Sequence, residues 1–249
     1  FFRNQGDGTF KEMSDQFNAE NYWPWGLSVG DLNADGFEDA FIASCMNYQY
    51  RYGINSLLLN DHGRKFLDAE FILGVEPRRG GRTMIPWFEL DAIRADQDHE
   101  VVEKVRYRGA RVTRVVAWGP LGSRSSVIFD LDNDGDLDIV TNDFNSEPMV
   151  LVSNLADRRP IHFLKIHLTG TKSNRDGLGA RVTVRAGSST YTKVHDGQSG
   201  YLSQSLYPLY FGLGDAERAD QIEVLWPSGK NQVIPGPVTT GSVLQVTEP

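Results

Sequence analysis

"FDLDNDGDLDIV", Phe129 to Val140, holds five aspartates, Asp130, Asp132, Asp134, Asp136 and Asp138, and no basic residue. Carboxylates this close repel one another unless something positive neutralises them. The apolar residues on either side look like the ends of strands. The stretch also has a second copy. "GLSVGDLNADGFEDAFIAS" (Gly26 to Ser44) aligns with "SSVIFDLDNDGDLDIVTND" (Ser125 to Asp143) at an offset of 99 residues. Asp31, Leu32, Asp35, Gly36 and Asp39 match Asp130, Leu131, Asp134, Gly135 and Asp138, while Asn33 matches Asp132 and keeps an oxygen donor.

Both copies read D-x-[DN]-x-D-G-x-x-D. Alternate side chains of a tightly turned loop aim inward at one point, and the central Gly accepts the positive φ that such a bend needs. The candidate oxygen donors are Asp31, Asn33, Asp35 and Asp39 in the first loop and Asp130, Asp132, Asp134 and Asp138 in the second. The backbone carbonyls of Phe37 and Asp136 add one more to each. The side chain of Asp136 is expected to face solvent. Six to eight hard oxygens suit Ca²⁺ better than Mg²⁺, which keeps more of its own water. Zn²⁺ would call for His or Cys. The loops are not EF-hands: position 12, where an EF-hand places a bidentate Glu, is Ile42 or Thr141. Two structural Ca²⁺ sites are therefore expected.

The segments around the loops are short. "DAFIAS", "SLLLN", "DIVTN" and "MVLVSN" are four to six residues long and bounded by Asn, Asp or Gly, which is strand length and strand punctuation. "FRNQGDGTF" and "LLNDHGRKF" echo one another as turns between such strands. Residues 77–124 interrupt the pattern. "WFELDAIRADQDHEVVEKV" (Trp87 to Val105) has some helical period. "EKVRYRGARVTRVVAWG" alternates like a hairpin turning at Arg108-Gly109. Between Arg78 and Arg124 there are ten Arg or Lys against six Asp or Glu, which reads as a hairpin with solvated arginines. From about Pro160 the texture becomes a series of β-branched runs separated by Gly, Pro, Asp and Ser, as in an antiparallel sandwich. The expected division is 1–157, with the insertion at about 77–124, followed by 158–249.

At these residues the chain resembles known families. "GDLNADGFEDAFIAS" and "DLDNDGDLDIVTND" resemble FG-GAP (VCBS) repeats, the calcium-loop blades of integrin-α-type β-propellers, and "RNQGDGTFKEMS" resembles the hairpin that links those blades. "SNRDGLGARVTV", "GQSGYLSQS", "LYFGLGDAERADQIEVLWPSG" and the closing "VLQVTE" resemble the ASPIC/UnbV domain. The resemblance covers Phe1 to about Glu70 and Ser125 to Glu248. It implies an all-β protein: partial propeller blades, then a small antiparallel β-sandwich-like domain, with calcium at the loops. It also implies an extracytoplasmic setting and a role in adhesion or assembly. A closed propeller of several four-stranded blades needs more chain than the roughly 155 residues before the last domain. Missing blades, or another chain that completes the sheet edges, are therefore expected.

Composition narrows the remaining classes. The net charge of -8 does not suit a phosphate-seeking surface, so no nucleic-acid partner is expected. No run of 18 apolar residues suggests a transmembrane helix, and residue 1 is Phe, so an upstream signal peptide has room to have been removed. Cys45, the single cysteine, ends an apolar run and reads as a buried structural thiol.

No nucleophile with its base is recognisable. "GQSGY" misses the nucleophile-elbow spacing by one residue, and the five histidines form no metal-ligand spacing. The expected class is a non-catalytic binding, adhesion or assembly protein with a protein or glycan partner. One alternative is a subunit of a larger membrane-associated or filamentous complex. Another is a polysaccharide-acting enzyme or its accessory module, since acids are plentiful enough for a catalytic pair. The aromatic clusters "YWPWG" (Tyr22 to Gly26) and "YQYRY" (Tyr48 to Tyr52) read first as packing and second as a platform for a partner.

Overall fold

The computed structural model describes residues 1–21, 23–45, 52–109, 111–144, 146–198 and 200–249. The cluster at Tyr48 to Tyr52 lies outside these residues apart from Tyr52.

The chain opens with a two-stranded ribbon, β1 (Phe2–Asn4) and β2 (Phe10–Glu12). Next comes a four-stranded antiparallel sheet of β3 (Pro24–Gly30), β4 (Asp39–Ser44), β5 (Ser56–Asn60) and β6 (Phe66–Asp68), in sequence order. β4 is buried along its whole length because it is the apolar "DAFIAS" between two neighbours. Residue 45, just beyond it, is the buried thiol that the apolar run suggested. The first aspartate loop is the β3–β4 connection.

The insertion follows its sequence reading in part: the helical period of Trp87 to Val105 is realised from Glu100 onward, while Trp87 to Asp91 is strand. β7 (Met84–Asp91) pairs with β8 (Arg114–Pro120), and α1 (Glu100–Tyr107) lies between them. The expected hairpin at Arg108-Gly109 is instead the end of this helix: the N–H of Gly109 bonds the carbonyl of Arg106. The alternation seen there belongs partly to a helix, whose Val102 packs with Leu90 and Ala92. The arginines are not all solvated either. Arg78 is buried and pairs with Asp143, and its Nη2 donates to Ser123 Oγ at 2.9 Å.

β9 (Gly122–Phe129), β10 (Asp138–Phe144) and β11 (Val150–Leu151) form a three-stranded antiparallel sheet, and the second aspartate loop joins β9 to β10. β3 and β9, each the first strand of its sheet, lie side by side. Ser28 Oγ donates to the Ser126 carbonyl at 2.8 Å. A Cβ on Gly26 would come within 2.7 Å of the Arg124 carbonyl oxygen, and one on Gly30 within 2.7 Å of Ile128 Cγ2. Ser28 with Ser126 and Gly30 with Ile128 are each 98 residues apart, one short of the repeat offset. The two copies are thus adjacent, parallel units, and the close approach at Gly26 and Gly30 requires residues without a side chain.

After a short helix α2 (Leu155–Arg158), two sheets face one another. One contains β12 (Phe163–Thr169), with β15 (Leu209–Gly212) on one side and β18 (Ser242–Thr247) on the other. The second runs β14 (Ser189–Val194), β13 (Arg181–Ala186), β16 (Arg218–Leu225), β17 (Asn231–Thr239). Leu164, Ile166 and Leu168 from the first meet Val182, Val184, Ile222 and Val224 from the second, with Phe211 and Trp226 filling the core. Most pairings are antiparallel, as expected of a sandwich. β12 and β18 pair parallel, a departure the alternation alone did not reveal.

Candidate metal centre

The two loops share a backbone. Ala34 and Gly36 have φ of 53° and 92°; their counterparts, Asn133 and Gly135, have 63° and 104°. The first aspartate of each loop accepts the N–H of the loop glycine: Gly36 to Asp31 Oδ2 at 2.8 Å, and Gly135 to Asp130 Oδ2 at 2.9 Å. The last aspartate fixes the loop to the sheet. Asp39 accepts N–H groups from Leu32 and Asn60, both at 2.8 Å. Asp138 accepts them from Leu131 at 2.7 Å and Ser153 at 2.8 Å. Position 9 of the pattern therefore anchors the next strand in both copies.

The loops differ at one oxygen. In the first, Asp31 Oδ1 also accepts the Asp35 N–H, at 3.0 Å, so the loop closes on its own amides. Asn33 and Asp35 bond each other, and Asp35 Oδ1 takes the Phe37 N–H. Burial pushes Asp31 up to about 6, against the pull of the Gly36 N–H and Lys193. Burial likewise pushes Asp39 up to about 7, with the charge of Asp31 adding to it. In the second loop, Asp130 Oδ1 is buried and has no hydrogen-bond partner. Asp136 is buried rather than facing solvent: its Oδ2 accepts the Ala156 N–H at 2.8 Å and its Oδ1 is an orphan too. The chain turns back at α2 and covers this residue, which the local pattern did not disclose.

Asp130, Asp132 and Asp138 each place an oxygen within 4.8 Å of the other two; among the described residues no other acidic trio does so. Asp138 is buried and Asp132 exposed, so the trio opens to solvent on one side. Burial raises Asp138 above the ordinary carboxylate range. An unpartnered buried oxygen costs about 1–3 kcal/mol. An all-oxygen donor set with one unfilled acceptor fits a hard divalent cation. The trio can hold a metal ion, with Asp134 beside it on the same turn.

The sandwich covers both loops, and at the second loop pleat parity explains how. In β12 the alternate residues Leu164, Ile166 and Leu168 enter the core, so Phe163 and Lys165 point the other way. A Cβ on Gly135 would come within 2.3 Å of the Phe163 ring, and Lys165 pairs with Asp130. At the first loop β14, the edge strand of the second sheet, presents a ring and a lysine from its other side: Tyr191 and Lys193 lie opposite Val184 and Val182, on the core-facing face. A Cβ on Gly36 would come within 2.4 Å of the Tyr191 ring, and Lys193 pairs with Glu38. Tyr210 donates its phenol to the Gly135 carbonyl at 2.9 Å. Lys165 and Lys193 escaped the sequence reading; their two-residue spacing from Phe163 and Tyr191 was the available signal. Between the loops and the sandwich lies an open cleft of about 750 Å³, lined in part by Phe129, Asp130, Lys165, Lys193, Gln198 and Tyr207.

The family described as ASPIC and UnbV matches residues 170–249, and the FG-GAP-like repeat matches residues 1–42. The chain carries an FG-GAP-like repeat at its start and an ASPIC and UnbV unit at its end. It is similar to cartilage acidic protein 1 of Xenopus tropicalis, at 26% identity over 256 residues, covering 92% of this chain and 38% of that protein. The human protein of the same name is 26% identical over 275 residues, covering 99% and 39%; the mouse protein is 27% identical over 259 residues, covering 92% and 38%. The chain thus spans about two fifths of the length of these curated relatives. The FG-GAP-like match contains the first aspartate loop, and the ASPIC and UnbV match contains β14 with its Tyr191 and Lys193.

Proposed function

We propose that the protein is a calcium-stabilised, non-catalytic binding or adhesion module that works outside the cytoplasm. The observation that carries the metal is the Asp130, Asp132 and Asp138 carboxylate trio, in which Asp130 keeps a buried Oδ1 without a hydrogen-bond partner. The ion is Ca²⁺, because the donors are carboxylates and carbonyls on a turn with an exposed member. A second Ca²⁺ at Asp31, Asn33, Asp35, Phe37 and Asp39 requires the amides now bonded to Asp31 to give way, so it binds more weakly.

The ion is structural: it neutralises the loop and holds β9, β10 and the sandwich in register. Adhesion and the extracytoplasmic setting rest on the FG-GAP-like and ASPIC and UnbV matches. Among the described residues, no helix is long and apolar enough to cross a membrane. The partner is a protein or a glycan, met at the cleft, where the rings of Phe129 and Tyr207 stack at 4.4 Å. Aromatic faces beside polar groups suit either.

Thermal melting in EDTA and in excess Ca²⁺ tests the reading. The melting temperature falls on chelation and returns with Ca²⁺, but not with Mg²⁺ at equal concentration. An unchanged melting temperature contradicts the metal assignment. Turnover on a glycan panel would contradict the non-catalytic part.

A further inference from the structure

The calcium reading leaves one group at the second loop unexplained. Lys165 Nζ pairs with Asp130 Oδ2, with the lysine side chain 12% exposed and the aspartate 1%. The same Oδ2 accepts the Gly135 N–H, while Oδ1 is unpartnered and belongs to the carboxylate of the trio. One carboxylate of the trio thus serves an ammonium on one oxygen and keeps the other without a hydrogen-bond partner. The backbone that carries the ammonium is held in place. Lys165 lies within β12, which pairs with β15 and β18, and its neighbours Leu164 and Ile166 are locked in the sandwich core. Nζ also stands 5.4 Å from the centre of the Phe163 ring.

We infer that Lys165 is an affinity-setting residue, a fixed positive charge that competes with the divalent cation for Asp130. A site with three carboxylates and no nearby cation would bind Ca²⁺ tightly; charge count is what tunes such sites over many decades. The ammonium cancels part of that charge and repels the ion, which sets the loop for the high Ca²⁺ concentrations found outside cells. It also links the ion to the sandwich, because both act on one buried side chain. The first loop has no such competitor on a donor: Lys193 pairs there with Glu38. This inference rests on the calcium reading.

The test is calorimetric titration of Ca²⁺ into the full chain, wild type against Lys165→Met, Lys165→Gln and Lys165→Arg, with melting curves to show that each variant folds. Met keeps the stem that packs beside Phe163, Gln keeps polarity, and Arg keeps charge. Removing the charge tightens Ca²⁺ binding at least tenfold in the Met and Gln variants, which is 1.4 kcal/mol. The Arg variant binds like wild type. If wild type binds Ca²⁺ and the neutral variants bind it equally or more weakly, Lys165 is a docking residue only and the inference is overturned. If neither wild type nor the neutral variants bind Ca²⁺, the calcium reading falls and this inference with it.

Discussion

Gly135 stands at φ 104° beneath the ring of Phe163. Any side chain there meets both a backbone penalty and a steric one. Gly135→Ala is therefore expected to cost about 2–4 kcal/mol, combining left-handed strain with overpacking, read as a shift in denaturant midpoint. At the far end of the chain, Glu248 Oε2 accepts N–H groups from Thr171, Lys172 and Ser173 at 2.7–2.8 Å, and its Oε1 accepts the hydroxyls of Ser173 and Ser228. Burial raises its pKa, but these bonds, that of Ser228 first, outweigh it and hold Glu248 at about 2 against an ordinary 4.5. A depressed carboxylate stabilises the fold above its unfolded value and loses that contribution as pH falls through the folded one. Glu248→Gln is accordingly less stable than wild type at pH 7. The gap between their melting temperatures closes as pH drops from about 4.5 to about 2. A gap independent of pH would contradict the account.

At the scale of elements, the aspartate loops were legible because their chemistry is local. Spacing, glycine position and repeat offset were enough to place both turns between strands and to pick out the aspartates that hold them. What joins the loops to the rest was not legible: Ser153, Ala156, Lys165 and Tyr210 reach the second loop from 15 to 75 residues away in sequence. The α1 segment was read two ways: the helical period ending at Val105 holds over Glu100 to Val105, and the hairpin reading that overlaps it failed for another reason. Its valines and arginines alternate as they would in a strand, while the His99 cap, accepting the Val101 N–H at 3.2 Å, makes the first turn helical. The first loop yields its own prediction. Asp31 and Asp39 are raised to about 6 and about 7 from an ordinary 3.8, so ionising them costs the folded state. In chelator, stability contributed by this loop falls as pH rises from about 4 to 7. Saturating Ca²⁺ flattens that slope, because the ion favours the ionised form; melting curves across this range report it.

Across the whole molecule, two adjacent loop-bearing sheets are covered by a sandwich that addresses each loop with a ring over the glycine and a lysine beside it. The all-β architecture could be read from strand lengths and punctuation alone. The covering of the loops could not, since it depends on Phe163 and Lys165 of β12 turning away from the core and on Tyr191 and Lys193 reaching past it from the edge strand β14. On the proposed calcium reading, that arrangement would make the cation, the loop and the sandwich one thermodynamic unit, since Asp130 is shared by the trio and by Lys165 of the sandwich. The measurement that bears most directly on this is a Ca²⁺ titration by calorimetry of wild type beside Asp132→Asn, a variant at the exposed corner of the trio that leaves the buried packing untouched. The account predicts saturable binding by wild type, with affinity at the second loop reduced at least tenfold by Asp132→Asn and melting temperatures that match in EDTA. Equal Ca²⁺ affinities for the two proteins, or no binding by wild type, would contradict it.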